Sequence, residues 1–206
     1  MDGARTADPV AVDTRETNEQ LMIQSGALIE NAYVVRDLDA AVESWRGAGN
    51  AGPFFLGEYP LPASSCTYRG RPTPLHTRFA FGVSGAMTIE LVQQMDDNPS
   101  VFSEVLESRG AGLHHLKYAT PSRIAEVGRL KQLGFEEVAS LTAAGPERLI
   151  TFVDTRASLG AFMEIMDYAV WRPSHEALLR AHQDWDGRTD PVRPWSRLAE
   201  YVVQDG

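Results

Sequence analysis

The apolar and polar positions of this chain change period several times, and each change marks an element. From Leu28, LIENAYVV is a short apolar strand. It runs into RDLDAAVESW, where Leu38, Ala41, Val42 and Trp45 recur at helical spacing behind Asp37, a good N-cap. GNAGPFFLG breaks that helix, with Phe54 and Phe55 as core or pocket wall. The Gly- and Pro-rich EYPLPASSCTYRGRPTP predicts a long loop with one edge strand around Ser64 to Tyr68. LHTRFAFG and AMTIELVQQ predict two strands joined at Ser84-Gly85. A helix follows, with Asn98 as cap, Pro99 in its first turn and Gly110 as its stop after Arg109.

Then the order begins again. LHHLKYAT predicts a strand, and PSRIAEVGRLKQLGF a helix capped by Ser122, with Ile124, Val127, Leu130 and Leu133 on one face. EEVASLTA, RLITFVDT and AFMEIMDY predict further strands. SHEALLRAHQD, Ser174 to about Asp184, predicts a C-terminal helix. Residues 1–27 lack any periodicity and read as a flexible tail.

Two rounds of strand–helix–strand–strand–strand are an internal duplication. An offset of 85 positions places Tyr33 on Tyr118, Ala40 on Ala125 and Val42 on Val127. The same offset places Glu30 on His115, and TIEL matches FMEI, so that Glu90 falls on Glu164. Four polar residues thus occupy two equivalent pairs of positions, which a pseudo-twofold would bring together. His114 and His115 are neighbours on one strand, and alternation sends their rings to opposite faces.

Composition narrows the partners. The 206 residues carry a net charge of −9, which disfavours nucleic acid and an anionic membrane surface. No apolar run approaches the roughly 20 residues that span a bilayer, and the polar N-terminus holds no secretory core. The lone Cys66 has no visible activating base and fits a reducing compartment, so a cytoplasmic location is expected.

The passages VVRDLDAAVESW, IELVQQ, ESRGAGLHHLKYAT and GAFMEIM together resemble the vicinal oxygen chelate superfamily. That group contains glyoxalase I, extradiol dioxygenases and the bleomycin-resistance proteins. The passage through His115 is nearest in pattern to the methylmalonyl-CoA epimerases. The resemblance covers about residues 28–168. It implies an α+β fold of two βαβββ modules, forming a curved, cup-shaped mixed sheet with helices outside. The modules would run from about 28 to 95 and 112 to 168, with a linker helix over 98–109 and a C-terminal helix and tail over 169–206.

The resemblance further implies a divalent metal (Mn, Fe, Co, Ni, Zn or Mg) held by first and last strands of each half. Carried over residue by residue, its ligands are Glu30, Glu90, His115 and Glu164. A neighbouring register would put Asn31 in place of Glu30. His115 would then face the cup and His114 face away or lie in the preceding turn. Family members usually have His or Gln where Glu30 stands, so phenolic ring cleavage on a two-histidine iron site is disfavoured.

Chemistry then follows from the donor set. Crowded carboxylates in a low-dielectric cup repel, and a cation or a raised pKa must relieve them. Glu164 has Phe162 and Met166 on its own face and Met163 and Ile165 on the other, so it is not simply solvated. Glu164 and Glu90 are the expected acid–base residues. The expected activity is a metal-dependent isomerase, epimerase or lyase acting next to a carbonyl of a small organic or acyl-thioester substrate. The alternatives are a non-catalytic small-molecule binding or resistance protein and a metal-independent biosynthetic enzyme. Arg69, His76 and Arg78 could bind an anionic substrate, but pairing with the abundant carboxylates is favoured. Trp171, Trp185 and Trp195 give the C-terminal segment enough aromatic surface to wrap its own domain or cover a partner, and a homodimer is expected.

Overall fold

The structure, a computed structural model, describes residues 26–142 and 149–202. The flexible tail expected over 1–27 lies outside the described residues as far as residue 25. The first half contains β1 (Ala27–Val34), α1 (Leu38–Ala48), β2 (Phe54–Leu61), β3 (Cys66–Tyr68), β4 (Arg71–Pro72), β5 (Leu75–Ser84) and β6 (Met87–Gln94). The connecting helix α2 (Val101–Arg109) leads into β7 (Gly112–Thr120), α3 (Arg123–Gln132), β8 (Glu136–Thr142) and β9 (Leu149–Asp154). The short α4 (Arg156–Leu159) and β10 (Phe162–Asp167) complete the second half. The chain continues through α5 (Tyr168–Gln183), β11 (Val192–Pro194) and a 3-10 turn, Trp195–Tyr201.

Among the described residues the strands join in one curved, open mixed sheet, in the order β11-β2-β5-β6-β1-β7-β10-β9-β8-β3-β4. In each half the first strand lies parallel to the last, β1 beside β6 and β7 beside β10. The halves meet where β1 runs antiparallel to β7. This topology brings the four strands β6-β1-β7-β10 to the middle of the sheet, and these carry Glu90, Glu30, His115 and Glu164.

Local chemistry sets the helix starts. The Asp37 carboxylate accepts the Ala40 N–H at 3.0 Å, and the Ser122 hydroxyl accepts that of Ala125 at 3.3 Å. The cap of α2 is Ser100 rather than Asn98. Ser100 Oγ accepts the N–H groups of Phe102 and Ser103, both at 3.0 Å, while the Asn98 N–H is taken by Asp96. Gly110 ends α2 with φ of 82°, a conformation that favours glycine.

Two expectations about strands change. Phe54–Leu61 is a full strand rather than a break and a loop, pairing along its length with β5. Ser64 lies in a 3-10 turn, and only Cys66–Tyr68 extends, crossing to pair with β8 of the other half. The C-terminal helix also begins earlier than Ser174, at Tyr168, and carries Pro173 within it.

The C-terminal segment closes over the cup. Trp171 and Trp195 stack with ring centres 6.4 Å apart, and Trp195 packs edge-on to Phe79 at 5.4 Å. Trp185 lies against Gly52. Each of the three tryptophans therefore packs on its own chain. One wall of the cup depends on a glycine: a Cβ on Gly57 would stand 2.2 Å from the Phe79 ring. We expect Gly57→Ala to displace that ring and cost about 1–3 kcal/mol, measured by urea denaturation.

Candidate functional site

The cross-strand register builds the site in two rows. Glu30 on β1, Lys117 on β7 and Glu164 on β10 stand directly beside one another. In the adjacent row Glu90 neighbours Ala32, which neighbours His115, which neighbours Phe162. Ala32 carries only a methyl group, and across it Glu90 Oε2 approaches His115 Nε2 to 3.2 Å. His115 Nε2 also lies 2.9 Å from Glu164 Oε2 and 4.0 Å from Glu30 Oε1. Lys117 Nζ lies 2.6 Å from Glu30 Oε1 and 3.3 Å from Glu164 Oε1. All four expected ligands therefore meet at one place. Asn31, the alternative to Glu30, is half-buried on the same strand and takes no part in these contacts.

The expectation that His114 faces away is overturned by a β-bulge. Leu113 pairs with Tyr33 and His115 with Ala32, which leaves His114 as an extra residue on β7. A bulge breaks the alternation, and His114 Nδ1 lies 2.8 Å from His115 Nδ1. Its Nε2 lies 3.0 Å from the Val101 carbonyl, and its ring stacks on Phe102. A carbonyl can only accept, so His114 Nε2 carries the proton and its Nδ1 is the acceptor. His115 must then donate from Nδ1, which leaves Nε2 facing the three carboxylates. The histidine behind the site thus fixes the orientation of the one within it and keeps its Nδ1 protonated. We expect His114→Phe to leave that buried Nδ1–H without an acceptor and to cost about 1–3 kcal/mol in chemical denaturation. His115 Nδ1 should also change its ¹⁵N NMR shift in the variant.

Charge is dense and mostly dry. Glu30, His115, Lys117 and Glu164 are all buried, and Glu90 is 12% exposed at its side chain. Burial, reinforced by Glu90 and Glu164 and opposed by Lys117, holds Glu30 well above the usual carboxylate range. Burial also pushes Glu164 upward, but Lys117 and His115 outweigh it and bring Glu164 down to about 2. Burial disfavours a charged His115, yet Glu164 and Glu90 raise it to about 9. His114 is held well below its ordinary value, first by burial and then by His115. Lys117 is raised, because Glu164, Glu30 and Glu90 overcome its burial.

The contacts are close but poorly directed. Glu30 Oε1 and Oε2, Glu90 Oε2, His115 Nε2 and Glu164 Oε1 are buried without an aligned hydrogen bond. One ligand atom from each of Glu30, His115 and Glu164 falls within 4.8 Å of the others, so this group could hold a metal ion. Oxygen donors with one imidazole suit a hard or borderline divalent cation. The residues present therefore fit such an ion in type and in placement.

Above the cluster lies a mainly apolar cavity, with Glu90, Lys117 and Glu164 opening onto it and Tyr59, Phe79 and Trp171 among its walls. The Lys117 ammonium sits 4.1 Å from the centre of the Trp171 ring and 5.0 Å from that of Phe81. Arg69, Arg78 and His76 pair with Glu104, Asp39 and Glu58 respectively. Cys66 is buried, and burial with nearby Asp96 raises its thiol to about 11, so it is not a ready nucleophile. Sequence reasoning missed Lys117 as a member of the site and Trp171 as its cover. The available signal was position: Lys117 lies two residues after His115 and so shares its face.

Comparison with known proteins agrees with this architecture. No curated protein matches the chain by sequence. A hypothetical protein of Bacillus halodurans C-125 is similar in fold, with a TM-score of 0.51 and 20% identity over 70% of this chain and 95% of its own. Methylmalonyl-CoA epimerase from Mycobacterium tuberculosis gives a TM-score of 0.48 and 21% identity over 70% of this chain and 89% of its own. No helix among the described residues is long and apolar enough to cross a membrane. The family model for the glyoxalase/bleomycin resistance protein/dioxygenase superfamily matches residues 31–152, more than half of the sequence, and the chain belongs to that superfamily.

Proposed function

We propose that the protein moves a proton at a carbon next to a carbonyl, acting as an isomerase, epimerase or lyase on a small organic or acyl-thioester substrate. One observation carries this reading. Two carboxylates that open onto an apolar cavity, Glu90 and Glu164, converge on the same imidazole nitrogen, 3.2 and 2.9 Å away. Proton transfer between substrate faces needs such a pair, one group to remove the proton and one to return it.

In this reading Glu164 is ionised across the neutral range and accepts the proton. Lys117 and His115, which hold it ionised, also lower its basicity, so the reading needs the carbonyl to be polarised as well. Glu90 serves the other face, and His115 keeps both carboxylates in place while His114 holds its ring in position. Tyr59, Phe79 and Trp171 receive the apolar body of the substrate and exclude water. A divalent cation held by Glu30, Glu90, His115 and Glu164 would supply polarisation of the carbonyl oxygen.

The test is α-proton exchange. The protein, with and without Mn²⁺, is incubated in D₂O with acyl thioesters, α-keto acids and thiol adducts, and the α-proton signal is followed by NMR. Exchange with any of the three supports the reading. Tight binding without exchange establishes the non-catalytic alternative, for which the closed, aromatic-walled cup is equally suited.

A further inference from the structure

Lys117 stands apart from the other cations among the described residues. It is 2% exposed, and its neighbours in the sheet on both sides are carboxylates, Glu30 on β1 and Glu164 on β10. The ammonium reaches both of them, at 2.6 and 3.3 Å. Its opposite side meets aromatic faces, Trp171 at 4.1 Å and Phe81 at 5.0 Å. A lysine is almost never this deep without partners, and here carboxylates and rings together replace its water.

Glu30 and Glu164 are also two of the residues that could hold a divalent ion. We propose that Lys117 is a resident cation that competes with divalent metal for Glu30 and Glu164 and thereby sets how tightly the site takes a metal. The inference rests on the ligand set given above. Its physical basis is charge. Three carboxyl groups gathered around one imidazole need positive charge if they are to ionise together, and a tethered ammonium supplies one unit permanently. An incoming divalent ion meets carboxylates that are already paired and a like charge that cannot diffuse away. Removing the ammonium frees both carboxylates and removes the repulsion.

The experiment is calorimetric titration of Mn²⁺, and separately Zn²⁺, into chelator-treated wild type, Lys117→Met, Lys117→Gln and Lys117→Arg. The Met and Gln variants are expected to bind at least about tenfold more tightly than wild type. Lys117→Arg, which keeps the charge, is expected to bind no more tightly than wild type. A thermal scan gives a second reading: without metal Lys117→Met melts below wild type, and added ion raises its Tm by more than it raises that of wild type. If Met or Gln variants bind no more tightly than wild type while wild type does bind, the inference is overturned and the ligand set stands. If none of the chains binds either ion, the ligand set falls and the inference falls with it.

Discussion

Glu164→Gln is expected to lower turnover by about 10²–10⁴-fold while leaving substrate affinity within a few-fold of wild type. The amide keeps the shape and one oxygen of the carboxylate but cannot take a proton. It would still fill the space beside Phe152, with which Glu164 pairs across β9 and β10. The loss should therefore appear in kcat rather than KM, measured on any substrate that undergoes exchange. A parallel loss of affinity would mean that the carboxylate binds substrate rather than moving its proton.

His115→Ala is expected to have the largest effect on metal binding. It removes the nitrogen donor of the set and the group at which Glu90 and Glu164 converge, so affinity for Mn²⁺ or Zn²⁺ should fall at least about a hundredfold. The same variant should alter stability against pH in the metal-free protein. His115 is raised from its ordinary value of 6.5 to about 9. Its contribution is thus fully present below pH 6.5 and is lost as the pH rises through about 9. Wild type should lose stability across that window, on the order of a few kcal/mol. His115→Ala should lose less, and urea denaturation at about pH 6 and about pH 9.5, on either side of that window, compares the two.

Much of the fold was legible because its signals are local. Asp37 and Ser122 cap helices whose apolar spacing was plain, and the alternation of β5 and β6 matched their pairing. The duplicated order placed Glu30, Glu90, His115 and Glu164 at equivalent positions, and those are the positions the central strands bring together. β2 was hidden because FFLGEYPL contains glycine and proline and lacks a clean two-residue period. Its strand character comes from pairing with β5 and β11, which no local window contains.

The site was legible in the four residues that converge and obscure in everything around them. A bulge depends on how two distant strands are aligned, so nothing within GLHHLKYAT showed that His114 would stand behind His115. Lys117 reads as a solvated strand residue until β1 and β10 place Glu30 and Glu164 on either side of it. Trp171 signalled an aromatic surface, but the sequence left open whether it would cover its own chain or a partner.

The most direct measurement pairs two readings on one probe. Wild type and Glu164→Gln are each mixed with the same α-substituted acyl thioester in D₂O, with binding read by calorimetry and loss of the α-proton signal by NMR. Cavity, carboxylates and imidazole acting as a proton-transfer site should give similar binding for both proteins and exchange at least about a hundredfold slower in the variant. Equal exchange in the two proteins, or binding by both with no exchange in wild type, would contradict the account.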